Sequence, residues 1–222
     1  MNKSPLLLAS NSPRRRQLLA LGGWTFNVEV SNTDESILPG ETPEAYVRRL
    51  AEAKARTVLG RAHPGQIIVG ADTSVVSDSE ILGKPLDAED AHNMLRRLRG
   101  RTHQVYTGIA VLHASDQMLL TDVCVTDVSM RTYSDHEIEA YVRSGDPMDK
   151  AGAYGIQNPD FQPVAAMEGC YASVMGLPLC HLTVLLRRLG LTPLADIPDR
   201  CQTTLSYRCP VFRSILDAED KT

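Results

Sequence analysis

Leu6 to Ala9 is a short unbroken apolar run, the pattern of a strand covered on both faces. Ser12-Pro13 follows, a hydroxyl at the N-cap position and proline at the first helical place. Behind it Leu18, Leu19 and Leu21 turn inward, and Gly22-Gly23 stops the helix. Thr42-Pro43 repeats the signal, with Tyr46, Val47, Leu50, Ala51, Ala55, Val58 and Leu59 at helical spacing. Residues 66–71 read as a fully buried central strand that delivers Asp72 at its far end. A helix capped by Asp87 carries Ala91, Met94, Leu95 and Leu98 on one face and ends before Gly100. Longer strands are predicted over 104–112 and 119–130. Ser134-Asp135-His136-Glu137 is a capping box that starts a helix running to Ser144. The last helix starts near Pro178, carries Leu182, Leu185, Leu186 and Leu189, and stops at Gly190. Alternating strands and helices define the α/β class over residues 1–193. After Pro193 the periodicity fades, so residues 194–222, with a charged end over 217–221, are expected to form an irregular tail.

Composition narrows the classes. With 222 residues, 43% hydrophobic and 23% charged, the chain can bury a core without metal or disulfide staples. A net charge of −4 argues against a nucleic-acid binder with a broad basic face, though not against a small anion held by a local basic cluster. No apolar run is long enough to span a membrane, and Leu6 to Ala9 is too short for a signal-peptide core. Five scattered cysteines without metal-ligand spacing point to reduced thiols and a cytoplasmic setting. A loop closed by Cys201 and Cys209 is the alternative that such a compartment disfavours.

Candidate chemistry gathers in a few places. Ser10, Ser12, Arg14, Arg15 and Arg16 meet within one turn, between a strand and a helix. Free helix N–H groups and arginine forks suit phosphate, whereas cations alone in a first turn oppose the helix dipole. The alternative is a capped helix with a solvated basic start. Asp72 and Thr73 follow the buried strand, where ligands collect in open α/β sheets; a turn-forming aspartate is the bland reading. Lys84 sits in a Gly83-Lys84-Pro85 turn. Lys54 shares a helical face with Leu50 and Val58, so it either snorkels to solvent or meets an anion in a cleft. Residues 149–157 join Lys150, glycines that admit close backbone approach, and the Gln157 amide.

Taken in order, these segments resemble one family. Ser10-Asn11-Ser12-Pro13-Arg14-Arg15, Asp34-Glu35, Lys54-Ala55, Gly70-Ala71-Asp72-Thr73, Gly83-Lys84-Pro85, His103-Gln104-Val105-Tyr106-Thr107-Gly108, residues 149–157 and Gly176-Leu177-Pro178 follow the pattern of Maf proteins over residues 5–190. The resemblance implies an elongated, bent mixed sheet flanked by helices, related to the inosine triphosphate pyrophosphatase fold, with a cleft between two lobes. It also implies cleavage of nucleoside triphosphates between the α and β phosphates, with magnesium or manganese. Asp72 then corresponds to the proton acceptor, and Glu35 with Asp72 to the metal site. Arg14, Arg15, Lys54 and Lys84 hold the triphosphate, and Ser10, Ser12, His103 and Lys150 complete the substrate-binding set. Arg14, Thr73 and Gln157 resemble the group that acts on dTTP and UTP, and a glutamine amide offers the donor and acceptor that an imide edge needs.

Asp146 stands where glutamate is usual, Asn158-Pro159-Asp160 replaces a glycine-containing stretch, and Pro163 replaces a common aromatic. These departures touch the outer wall of the base pocket. Two rivals stay open: a 7-methyl-GTP pyrophosphatase, and a nucleotide-binding regulator of cell division without turnover, since Maf proteins are also linked to septum formation. The family often forms dimers, so a homodimer is also open.

Overall fold

The computed structural model describes residues 6–218. β1 (Leu6–Ala9) is buried throughout and leads into α1 (Pro13–Ala20), where Ser12 Oγ accepts the Arg15 N–H at 3.4 Å. β2 (Phe26–Glu29) precedes α2 (Pro43–Thr57), which Thr42 caps through the Ala45 N–H. β3 (Ile67–Ser77) turns into β4 (Glu80–Leu82), and α3 (Ala88–Leu98) is capped by Asp87. β5 (Thr102–His113) and β6 (Leu119–Met130) form a long hairpin, followed by α4 (Asp135–Arg143) with both halves of its capping box in place. Two 3-10 turns, β7 (Val164–Glu168), α5 (Tyr171–Val174) and α6 (Leu179–Arg188) follow. α7 (Ile197–Leu205) and α8 (Phe212–Asp217) end the described chain.

The seven strands of the described residues form one mixed sheet of order β2-β1-β3-β5-β6-β7, with β4 also on β3. β1 runs parallel to β2 and β3, and the remaining pairs are antiparallel. One edge of β3 pairs with β5 from Ile67 to Val76. On its other edge β1 covers only Ile67 to Val69, and β4 begins at Val75. Between them that edge of residues 70–74 has no strand neighbour among the described residues, and the sheet opens into a cleft.

The gap also separates two hydrophobic cores. One holds Leu18, Leu19, Ala71, Ile109 and the inner face of α6; the other holds Val75, Val105, Val128 and the buried faces of α3 and α4. α2 lies directly on the opposite face of the sheet, over β3 and β5. Glycine is required beneath it: a Cβ on Gly70 would come within 2.2 Å of the Ala51 carbonyl oxygen, and one on Gly108 within 2.3 Å of the Val47 oxygen.

Two expectations change. β3 runs on to Ser77, so Asp72 lies in mid-strand and not at a strand end. The segment after Pro193 is not irregular. α7 is capped by Asp196 and buries Ile197, while Leu205, Phe212, Ile215 and Leu216 pack against the first core. Each helix is too short for its sparse apolar positions to display a period. The charged end from residue 219 onward lies outside the described residues. All five cysteines are free thiols, and among the described residues no helix is long and apolar enough to cross a membrane.

Candidate active site

A cleft of about 1070 Å³ lies between the two cores, at the open edge of β3 between β1 and β4. On the α2 face, close docking over Gly70 and Gly108 carries Lys54 onto the sheet. Lys54 does not snorkel: the residue is only 7% exposed. Its Nζ lies 2.6 Å from Asp72 Oδ1 and 2.6 Å from Glu35 Oε1. Lys84 approaches the other Glu35 oxygen at 3.6 Å. Partial burial pushes the Glu35 carboxyl up, but the Lys54 hydrogen bond and the charges of Lys54, Lys84 and Arg15 outweigh it and leave it below its ordinary value. Two carboxylates thus share one buried ammonium, an arrangement that needs every partner because an unpaired buried charge is costly.

On the other face stands the phosphate candidate. Successive strand residues alternate sides, so Thr73 points away from Asp72, toward α1. Arg15 donates from Nε to the Gly176 carbonyl at 2.8 Å and from a terminal nitrogen to Thr73 Oγ1 at 3.2 Å. Thr73 is in turn 3.1 Å from the Thr107 hydroxyl, which is 2.8 Å from the Ser173 carbonyl. Ser10 Oγ accepts the Ser12 N–H at 3.1 Å, shaping the loop before the helix. Burial lowers the Arg15 guanidinium below its ordinary value, against the pull of Asp72 and with Arg14 adding to the effect. Arg14 and Arg16 also line the cleft.

At the far end, Lys150 is buried and bonds Asp146 Oδ1 at 2.9 Å and Asp149 Oδ1 at 2.6 Å. Asp146 Oδ2 accepts from the Tyr141 hydroxyl at 2.6 Å and from Asn158 Nδ2 at 3.2 Å. Two of the departures noted in the sequence therefore meet: the shorter acid at 146 and the asparagine at 158 bond one another. Asn158 Oδ1 also accepts the Phe161 N–H at 2.8 Å, which closes the following turn. Gln157 is exposed at the mouth.

Of the residues singled out in the sequence, Ser10, Ser12, Arg14, Arg15, Glu35, Lys54, Asp72, Thr73, Lys84, Lys150 and Gln157 all line this cleft. His103 does not. It is buried behind the wall, with Nε2 2.8 Å from the Tyr154 hydroxyl, and burial pushes its imidazole down to about 4. The family motif over residues 103–108 implied a place in the site, but residue alternation turns the ring into the second core. Tyr46 was read only as an apolar helix position, yet it lines the cleft, with its hydroxyl pushed up to about 12 by burial and by Asp72 and Glu35. No local signal distinguishes such a tyrosine from a core residue.

Among the described residues no group of three or more histidine, cysteine, aspartate or glutamate side chains is arranged to hold a metal. Glu35 and Asp72 nevertheless fit magnesium or manganese bound with its substrate, because such ions take one or two carboxylates and complete their shell with phosphate oxygens and water.

A mixed sheet with an open strand edge, flanked on one face by an arginine-rich helix start and on the other by a lysine-bridged carboxylate pair, has the layout of an α/β enzyme for polyphosphate substrates. The particular family follows from sequence comparison: the family described as Maf-like protein matches residues 5–189, and the chain belongs to it. Curated relatives include the "dTTP/UTP pyrophosphatase" of Myxococcus xanthus, 49% identical over 84% of this chain and 93% of its own length. Proteins of the same name from Geotalea uraniireducens and Geobacter sulfurreducens are each 47% identical, over 85% and 86% of this chain and 96% and 99% of theirs. A solved "Nucleoside-triphosphatase / dITP/XTP pyrophosphatase" from Mycobacterium abscessus is 16% identical over 57% of this chain and 72% of that one; its TM-score of 0.35 is too low to define a shared architecture.

Proposed function

We propose that the chain is a nucleoside triphosphate pyrophosphatase that converts dTTP and UTP to the monophosphate and pyrophosphate. The observation that carries the reading is the Lys54 bridge between Asp72 and Glu35, set at the open edge of β3 across from Arg15. Relatives named for this activity, aligned over nearly their whole length, supply the substrate.

The β and γ phosphates lie at the α1 start, held by its N–H groups, Arg14 and Arg15. Asp72 accepts a proton from a water whose oxygen attacks the α phosphorus. The bond from that phosphorus to the α–β bridging oxygen breaks, and pyrophosphate leaves in line. Lys54 and Lys84 offset the charge that spreads over the phosphoryl oxygens, so the work is positioning and neutralisation. Glu35 and Asp72 would hold the divalent cation, magnesium or manganese, which supplies further charge stabilisation to the phosphates. Gln157 meets the imide edge of thymine or uracil with both a donor and an acceptor.

The test is product analysis across a nucleotide panel with magnesium or manganese. We expect equimolar pyrophosphate and monophosphate, with the highest kcat/KM for dTTP and UTP. Release of orthophosphate would overturn the reaction, and a kcat/KM for 7-methyl-GTP above both pyrimidines would overturn the substrate.

A further inference from the structure

Asp72 is fixed by β3 and Lys54 by α2, but Glu35 belongs to an irregular, mostly exposed segment between β2 and α2. From residues 32–42 only Glu35 lines the cleft. Its geometry must therefore come from side chains that tie the segment down, and α2 supplies them. Tyr46 Oη donates to the Glu35 carbonyl at 2.8 Å. The N–H of the same peptide group, on Ser36, donates to Asp34 Oδ1 at 2.9 Å.

One turn along α2, Arg49 grips both oxygens of Glu41, at 2.6 and 2.7 Å, and donates to the Ser36 carbonyl at 2.9 Å. Glu41 closes the ring by accepting the Leu38 N–H at 3.1 Å, and its side chain is only 7% exposed. Arg49 also lies over the Tyr46 ring, 5.5 Å from its centroid. The bidentate fork makes this geometry specific in a way that a single ammonium contact does not. Arg49 itself does not line the cleft.

We propose that Arg49, through Glu41 and the Ser36 carbonyl, is a positioning residue that sets the Glu35 carboxylate against Lys54. The inference rests on reading the cleft as a pyrophosphatase centre. Misplacing a group by about 1 Å can cost on the order of a hundredfold in rate. Arg49→Met keeps the stem and removes the fork, so kcat for dTTP should fall by about 10- to 100-fold while KM moves less than about threefold. Arg49→Lys should recover only part of the loss.

A double-mutant cycle separates positioning from general damage. If Arg49 acts through Glu35, Arg49→Met should slow Glu35→Gln no further; losses that multiply would overturn the proposal. Amide exchange supplies a readout without turnover. In Arg49→Met, and in Glu41→Gln should the first variant fold poorly, exchange over residues 31–41 should rise by at least about tenfold while β3 stays protected. Unchanged exchange there would also overturn the proposal. A wild-type protein that releases no pyrophosphate would sink the functional reading instead, and the exchange result would still decide whether Arg49 anchors the segment.

Discussion

At one end of the cleft Asp72 and Thr73 stand in the middle of an eleven-residue strand and Arg15 in the first turn of a capped helix. At the other end Gln157 stands on a turn, preceded by Gly152 and Ala153 with φ of 67° and 58° and held by the side chains of Asp146, Lys150 and Asn158. The first end is packed under α2 so closely that two glycines are needed; the second is open to solvent. Phosphate chemistry needs charges held to fractions of an ångström; regular structure does this for Asp72 and Arg15, and side-chain ties from α2 do it for Glu35. In the proposed function, base recognition falls to the Gln157 amide on that turn. The departures from the family pattern fall at the turn, where exchanges at 146 and 158 answer one another.

The contrast can be broken most severely at Asp72. Asp72→Asn keeps an acceptor for Lys54, which Glu35 still pairs, but loses the base, so kcat should fall by about 100- to 10,000-fold in a variant that stays folded. Near-normal pyrophosphate release from the folded variant would remove Asp72 from the mechanism.

A smaller break comes from beneath α2. Gly108→Ala places a methyl against backbone, which the Val47 carbonyl cannot avoid without moving the helix. We expect about 1–3 kcal/mol of lost stability in urea unfolding. Activity should fall as well, because Lys54 moves with α2. Unaltered stability and activity together would mean that close docking is not what seats the lysine.

Arg15→Ala should weaken triphosphate binding about ten- to a hundredfold, by analogy with loss of a charge-assisted hydrogen bond of about 1.5–3 kcal/mol, with little effect on the monophosphate. Lysine should rescue it incompletely. Calorimetry that finds equal losses for both nucleotides would place Arg15 in the fold and not on the phosphates.

The mildest change is expected at the turn. Gln157→Glu replaces a donor by an acceptor at an exposed position, which should erode the preference for dTTP over purine nucleotides by about two- to tenfold while kcat stays within about threefold. A large fall in kcat with selectivity intact would erase the distinction between the two ends.

Much of the scaffold was legible because its signals are local. Ser12, Thr42, Asp87 and Ser134 each cap the helix that they announce, and the strand predicted over 119–130 is the one observed. The short elements β2, β4, β7 and α5 were not read, since three to five residues cannot display a period. α7 and α8 escaped because their apolar positions are sparse.

The site divides along the same line. The sequence by itself determined which groups were available: an arginine-rich helix start, a carboxylate in a buried strand, and a lysine on an apolar helical face. Only the tertiary structure decided that Asp72 sits in mid-strand at a break between β1 and β4, that Lys54 turns inward to join it to Glu35, and that His103 faces the core. Hydrophobic period and capping act within a few residues, whereas a gap in a sheet edge exists only once strands distant in the chain have paired.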